Sequence, residues 1–319
     1  MTIRRSFRRV AMLLACAVFV CDPGCDRKPS AGMAGPQSGA GQAGRAAVWP
    51  DLAAERAKHP TRHTTEPQSP QKYVNEEPSD GARVVTFQSG DLRLSAWVGG
   101  PRPAAGADQK HPALVYLHGG FAFGADDWAE TQPYRDAGYV VMTPTLRGEN
   151  GNPGHFEMFY GEVDDAVAAG RYLAALPEVD PARVYVAGHS SGAAETILAS
   201  LVASPFAAAT SIGGYVDMAN VTAYEPVARI APFDVADPDE MRLRSAKHFA
   251  GTLRCPLYLM CGTEDEPALA GAAEFAAAAR AAGRTCELLT LPGDHHSSKT
   301  AAIRKSIELF ARHGGPTPR

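Results

Sequence analysis

A serine with a glycine two positions away on each side constrains the fold of this chain more than any other feature. The pentapeptide 188–192, Gly-His-Ser-Ser-Gly, lies between an apolar run at 184–187 and a stretch of small residues at 193–199. This pattern predicts a buried strand, a very tight turn at Ser190 and a helix that begins directly after it. Side chains at the two glycine positions would collide with the neighbouring strand and helix, so both positions require glycine.

Short apolar runs alternate with helical stretches over most of the remaining chain. Residues 83–87 and 92–98 alternate apolar and polar side chains around a polar turn, which predicts an antiparallel hairpin. Continuous apolar runs typical of buried parallel strands follow at 112–117, 139–144, 183–187, 208–212, 257–261 and 287–291. Helical spacing is clearest at 161–176, 268–282 and 301–312. The sequence therefore predicts an α/β protein with a mostly parallel, doubly wound sheet and helices on both faces.

Candidate functional residues follow the ends of these predicted strands, where ligands bind in open α/β sheets. A His-Gly-Gly turn at 118–120 follows one strand and Ser190 follows another. Asp265 lies 75 positions after the serine and His295 a further 30 positions on. The chain order is therefore serine, aspartate, histidine, which is one of the three known orders of a Ser-His-Asp triad.

The chemistry of such a triad explains why these residue types are needed together. A serine hydroxyl is a weak nucleophile at neutral pH, and His295 would remove the proton of Ser190 as it attacks. Asp265 would orient the imidazole and stabilise its charged form. The backbone N–H groups of Gly120 and Ser191 are the candidate oxyanion hole for the negative oxygen that forms during attack.

Neighbouring residues leave some alternatives open. His296 is adjacent to His295 and is the alternative base. Glu264 and Glu266 flank Asp265, but an offset of one position points each of them elsewhere, and we expect them to be solvated. His189 is expected to be a packed residue because its position beside the nucleophile points it away from the hydroxyl.

With these motifs the chain resembles the α/β-hydrolases, and within them the prolyl oligopeptidase-like catalytic domain, a group that includes dienelactone hydrolase-like esterases. The resemblance covers residues 82–313 and rests on the motifs at 118–120, 188–192, 262–265 and 293–295, in that order. It implies an α/β-hydrolase fold with a short cap segment, which would fall within 213–252. The aromatic residues of that segment would either line the pocket or pack the cap onto the sheet.

The expected function is hydrolysis of carboxylic esters through an acyl-enzyme on Ser190. Oligopeptidases of this group carry a β-propeller before the catalytic domain, whereas only a polar segment precedes it here. The resemblance therefore favours an esterase that acts on a small-molecule ester or an acylated saccharide. The alternative is a serine peptidase of the same group, and the third hypothesis is a non-catalytic binding module on the same fold.

The N-terminus predicts export. A basic segment at 4–9 precedes an apolar run at 10–20, the arrangement of an export signal, here assigned to residues 1–25. The two arginine pairs also resemble a twin-arginine signal. Cys16 follows a lipobox-like Leu-Leu-Ala. The mature protein would therefore begin either with a lipidated cysteine or, without a lipid, after simple cleavage of the signal. The expected locations are periplasmic, membrane-anchored or secreted.

The remaining predictions concern the flanks, the cysteines and other ligands. Residues 26–81 are predicted to be a disordered linker because their composition is poor in apolar periodicity, and 314–319 a tail. Cys255 and Cys286 begin neighbouring predicted strands, where either a disulfide or free buried thiols would fit.

The net charge of −4 gives no reason to expect nucleic acid binding. The ten histidines show no zinc-binding spacing, so neither a metal nor a cofactor is expected. Asp164 and Asp165 are expected on a solvated helix face.

Overall fold

The computed structural model describes residues 48–101 and 110–317 of the 319-residue chain. The predicted export signal, its cysteines and residues 26–47 of the predicted linker lie outside the described residues. Within the described part, no helix is both long enough and apolar enough to cross a membrane.

Eight strands form one sheet, and their order differs from the order in the chain. The strands are β1 Arg83–Ser89, β2 Leu92–Gly99, β3 His111–Leu117, β4 Val140–Pro144, β5 Val179–His189, β6 Ala208–Ile212, β7 Leu257–Gly262 and β8 Cys286–Leu291. The spatial order is β1-β2-β4-β3-β5-β6-β7-β8. The β1–β2 and β2–β4 pairs are antiparallel, and all other pairs are parallel. The predicted hairpin and mostly parallel sheet are therefore confirmed.

Helices cover both faces of this sheet. They are α1 Leu52–Lys58, α2 Ala125–Glu130, α3 Gln132–Asp136, α4 Glu162–Ala174, α5 Ser191–Ala199, α6 Met218–Thr222, α7 Glu225–Ala228, α8 Pro238–Leu243, α9 Glu266–Ala281 and α10 Lys299–Ala311, with a 3-10 segment at Ala246–Thr252. Apolar residues of α4, α5 and α9 build the core on one face. Residues of α2, α3 and α10 build a second core, rich in aromatic rings, on the other. The predicted α/β class with helices on both faces is confirmed.

The segment that precedes the sheet differs from the predicted linker. Residues 48–79, called here the N-terminal strap, contain helix α1 and an extended stretch that crosses the domain surface. Trp49 packs so tightly against Gly251 that a Cβ on that glycine would lie 2.1 Å from the Trp49 ring. Asp51 caps α1 through the Ala54 N–H and pairs with Arg254 at 2.6 Å. From residue 48 onward the segment is therefore part of the folded domain.

Arg56 is the main anchor of the strap. Its guanidinium donates hydrogen bonds to the carbonyls of Phe159, Tyr160 and Leu243 at 2.7 to 3.2 Å. The partners lie 103 to 187 positions away in the chain. Contacts between a single side chain and distant carbonyls leave no periodic pattern of apolar residues in the sequence. The composition of this segment alone therefore indicated a linker.

The three cysteines of the described residues are free, buried thiols at positions 255, 261 and 286. Of the two arrangements left open for Cys255 and Cys286, the one without a disulfide is observed. Burial raises the pKa of each thiol to about 12, so all three act as small apolar side chains at neutral pH.

Candidate active site

Ser190 occupies the tight turn that the sequence predicts between β5 and α5. Its φ is +58°, a left-handed conformation that is costly for a residue with a side chain. A Cβ on Gly188 would lie 2.3 Å from the Gly192 carbonyl oxygen, and one on Gly192 would lie 2.2 Å from the Leu117 carbonyl oxygen. The predicted need for both glycines is confirmed. The strained turn lifts Ser190 out of the sheet and leaves its side chain half-buried.

Asp265 and His295 form the second part of the site. Asp265 lies between β7 and α9, and its carboxylate oxygen Oδ2 lies 2.7 Å from Nδ1 of His295. An ionised carboxylate can only accept, so Nδ1 carries the proton and Nε2 is left with a free lone pair. Asp265 is 6% exposed, whereas His295 is half-buried and remains reachable. The pair has the geometry of a base and the acid that orients it.

The alternative residues are placed differently. His296 is exposed, and its backbone donates to Asp294 and accepts from the Lys299 N–H, while no hydrogen bond of its ring occurs within the described residues. Glu264 and Glu266 are exposed on either side of Asp265. The structure thus brings together the residues that the sequence favoured and leaves their neighbours in solvent.

Ser190 and His295 both lie beside the link between β6 and the cap. The Ser190 N–H donates to the carbonyl of Ile212 at 3.0 Å. A Cβ on the next residue, Gly213, would lie 3.0 Å from Cε1 of His295. Gly213 therefore leaves space for the imidazole beside the serine, a role that the sequence analysis missed. Within the described residues no hydrogen bond joins Ser190 to His295, and such contacts often close only when substrate binds.

The two candidate oxyanion donors lie next to the serine. Gly120 has a φ of +77°, and the neighbouring Gly119 is so close to Ser190 that a Cβ there would lie 3.6 Å from the serine Cβ. Ser191 is the first residue of α5, where backbone N–H groups have no partner within the helix. In the described part of the chain neither the Gly120 nor the Ser191 N–H donates a hydrogen bond. Both are free to bind a negative oxygen.

A buried charged pair supports the glycine turn from below. Nε2 of His118 lies 3.0 Å from the carboxylate of Glu149, and both side chains are almost fully buried. Burial alone would lower the pKa of His118, but the adjacent Glu149 carboxylate outweighs it and raises this pKa. His118 is therefore a fixed cation under the turn. Glu149 was not among the predicted site residues.

His189, next to the nucleophile, behaves as a packed residue. Its Nε2 lies 3.0 Å from the backbone carbonyl of His295. Burial lowers the pKa of His189 to about 3, so the ring is neutral at pH 7 and donates to that carbonyl. His189 thereby fixes the backbone of the candidate base.

Asp164 and Asp165 were both expected on a solvated helix face. Asp164 is exposed, but the expectation for Asp165 is wrong. Asp165 is fully buried and accepts two hydrogen bonds from the guanidinium of Arg147 at 2.8 and 3.0 Å. It also accepts from Ser89 at 2.6 Å. Since Arg147 lies in the loop after β4, the partner of Asp165 could not be inferred from the helical pattern alone.

Glu162 organises an adjacent loop in a similar way. Its carboxylate accepts from the backbone N–H groups of Glu157, Met158 and Tyr160 at 2.6 to 3.1 Å. Met158 and Phe159 have positive φ angles of 50° and 71°. The carboxylate of Glu162 stabilises this strained loop. The loop packs Phe156 and Phe159 against Phe121, the residue directly after the glycine turn.

Short helices α6, α7 and α8 and the 3-10 segment occupy most of the expected cap region, 213–252. The ring of Tyr215 lies 6.3 Å from that of His295, so this residue borders the site. Phe233 is buried with the Arg244 guanidinium 3.8 Å from its ring centre. One aromatic residue of this region therefore lies beside the site, and another packs the cap.

A model of the prolyl oligopeptidase family matches residues 125–312, more than half of the chain. The chain belongs to the prolyl oligopeptidase family. The matched range contains Ser190, Asp265 and His295.

Similar proteins support the family assignment and the fold. The uncharacterized peptidase YtmA of Bacillus subtilis is 26% identical over 203 residues, which cover 59% of this chain and 76% of that protein. The acylaminoacyl peptidase of Pyrococcus horikoshii shares the fold with a TM-score of 0.61 at 21% identity, over 75% of this chain. A puromycin-hydrolyzing peptidase of Mycobacterium tuberculosis shares the fold with a TM-score of 0.65 at 23% identity, over 77% of this chain. This chain spans 42% of the length of each of these two solved relatives.

No group of three or more histidine, cysteine or acidic side chains able to hold a metal ion occurs within the described residues.

Proposed function

We propose that this protein is a serine peptidase in which Ser190 is the nucleophile, His295 the general base and Asp265 the residue that orients the base. The observation that carries the proposal is the 2.7 Å contact between Asp265 and Nδ1 of His295, which leaves Nε2 of this half-buried residue with a free lone pair. The prolyl oligopeptidase family model and the peptidase relatives support peptide bonds as the target. They favour the peptidase alternative over the ester hydrolase that the sequence analysis preferred.

The proposed reaction proceeds in two halves. Ser190 Oγ attacks the substrate carbonyl while its proton passes to Nε2 of His295, and the N–H groups of Gly120 and Ser191 bind the resulting oxyanion. His295 then gives this proton to the leaving amine, and an acyl-enzyme remains on Ser190. In the second half, water attacks the acyl carbonyl and gives a proton to His295. The bond between Ser190 Oγ and the acyl group then breaks, His295 returns the proton to Oγ, and the acid leaves.

A panel of substrates tests the proposal. Aminoacyl and N-acyl-aminoacyl anilides should be cleaved, and Ser190→Ala should reduce kcat by at least 10⁴-fold while the protein stays folded. A fluorophosphonate probe should label the wild type and not this variant. Turnover of nitrophenyl esters without any cleavage of anilides would instead support an ester hydrolase. Absence of both turnover and labelling would support a binding module.

We also propose that the protein is exported, on the basis of the basic and apolar segments at 4–9 and 10–20. Residues 1–47 fused to a reporter that is active only outside the cytoplasm should give activity. Arg4→Lys with Arg5→Lys tests a twin-arginine route, and Cys16→Ser tests lipid attachment. A reporter that stays in the cytoplasm would contradict export.

A further inference from the structure

The N-terminal strap holds the residue that follows the candidate oxyanion turn. The backbone N–H of Phe121 donates to the side-chain carbonyl Oε1 of Gln71 at 2.8 Å. The hydroxyl of Ser69 donates to the backbone carbonyl of Phe121 at 2.5 Å. Side chains of the strap thus bind both backbone polar groups of Phe121.

The contact of Gln71 completes a clamp on one peptide group. The carbonyl oxygen of Gly120 and the N–H of Phe121 belong to the same planar peptide. The carbonyl accepts from the hydroxyl of Ser191 at 2.6 Å, and the N–H donates to Gln71. This peptide plane is therefore held at one end by the nucleophile helix and at the other by the strap.

Gly120 needs this clamp because of its own conformation. Its φ of +77° is open to glycine, but a residue without Cβ rotates readily between several backbone conformations. The preceding peptide carries the Gly120 N–H. Fixing the Gly120–Phe121 peptide plane limits the rotation of the whole turn. The Gly120 N–H is therefore limited in the direction in which it points.

The strap is itself fixed close to Gln71. The Ser69 N–H donates to the carbonyl of Gly148 at 2.7 Å, and the carbonyl of Pro67 accepts from Phe156 at 2.7 Å. Gln71 is thus presented to the turn from a backbone that is tied to the loop after β4.

We propose that Gln71 is a positioning residue that orients the Gly120 N–H toward the oxyanion, so that the strap is a working part of the active site. This inference rests on the proposed function of Ser190 and its partners. Gln71 touches neither the reacting atoms nor the substrate in this role, and it acts through the Gly120–Phe121 peptide.

The test compares Gln71→Met and Gln71→Ala with Gln68→Ala. Methionine has a similar length but no carbonyl acceptor. Gln68 is the matched control, because it lies on the same strap and its amide donates to the Asn152 carbonyl at 3.2 Å, not to the turn. Both Gln71 variants should lower kcat about tenfold, or about 1.4 kcal/mol in the barrier, with KM and melting temperature near the wild-type values. The affinity for a peptide aldehyde, which forms the tetrahedral adduct, should fall by the same factor.

The outcomes separate this inference from the proposed function. If the wild type cleaves substrate and Gln71→Met retains its kcat, the inference is wrong and the triad stands. If Gln68→Ala loses as much as Gln71→Met, the strap acts only through general stability and the inference is again wrong. Should the wild type hydrolyse esters alone, the same comparison on esters decides the role of Gln71. A wild type without turnover or labelling would overturn both proposals.

Amide exchange gives a readout that does not depend on turnover. The Phe121 N–H should exchange faster in Gln71→Met than in the wild type, while exchange within β5 stays unchanged. Equal protection of Phe121 in both proteins would show that Gln71 does not hold this peptide.

Discussion

The carboxylate of Asp265 lies 2.7 Å from Nδ1 of His295, and the two side chains reach each other from loops that follow neighbouring parallel strands, β7 and β8. Thirty positions of chain separate them, including the whole of α9. The contact exists because parallel strands bring their carboxyl ends to the same edge of the sheet.

Replacing the acid tests the orientation of the base. Asp265→Asn should lower kcat about 10⁴-fold, because an amide that donates to Nδ1 would hold the opposite tautomer. Glu264→Gln and Glu266→Gln, on either side, should retain kcat within about twofold. Steady-state kinetics on a peptide anilide measure all three. A large loss in Glu264→Gln or Glu266→Gln, with Asp265→Asn active, would move the acid to that residue.

The adjacent histidines give a matched pair of variants. His295→Gln should abolish turnover and slow labelling by a fluorophosphonate, since no base would remain for Ser190. His296→Gln should keep most of the activity because its ring is exposed and the Asp265 carboxylate is bound to the other imidazole. Equal losses in the two variants would argue against His295 as the single base.

Removing the charge beneath the glycine turn should destabilise the protein. Glu149→Gln leaves His118 buried without its counter-charge, and breaking a buried pair in this way costs about 3–5 kcal/mol. The pKa of His118 is raised in the folded state, so the stability that the pair contributes is fully present below about pH 6.5 and is lost as pH rises through the folded pKa.

Urea unfolding from pH 6 to pH 9 measures this dependence. The difference between wild type and Glu149→Gln should be largest at pH 6 and should shrink as pH rises. A difference that is constant or grows with pH would show that His118 is neutral in the folded protein. The exposed Glu274→Gln serves as the control for loss of an acidic residue.

The contribution of Glu195 to stability should change with pH in the opposite direction to that of a salt-bridged carboxylate. This residue of α5 is 4% exposed, and burial raises its pKa well above the usual value, with nearby Glu162 and Glu149 adding to the effect. The folded state then favours the protonated carboxyl of Glu195, so the contribution of this residue to the free energy of unfolding becomes less favourable as pH rises above the unfolded pKa of about 4.3.

Glu195→Gln replaces the neutral acid with a neutral amide of similar shape. The variant should match the wild type near pH 4.5 and gain stability relative to it as pH rises toward 8, as measured by denaturant unfolding. A variant that loses stability at pH 8 would mean that the ionised carboxylate has a partner in the folded state.

Local sequence was sufficient for the parts of the fold that depend on local patterns. The apolar runs predicted the hairpin and the parallel strands, and the glycines at 188 and 192 predicted the turn at Ser190. The serine, aspartate and histidine were found because each follows a strand end, and these ends meet in a parallel sheet whatever their distance in the chain.

The strap and the buried charges were missed because each depends on partners far away in the chain. Arg56 binds carbonyls more than 100 positions away, and a segment held by such single contacts has no apolar period. Asp165 reads as an exposed helical residue until Arg147 is brought against it by the loop after β4.

The sequence alone thus determined the α/β class, the tight turn at Ser190 and the set of candidate catalytic residues, since these follow from short-range sterics and from strand order. Only the tertiary structure decided that His295, and not His296, meets Asp265, and that Gln71 reaches the peptide after Gly120. Both facts depend on the direction of a side chain across a gap between separate elements, which local propensities do not encode.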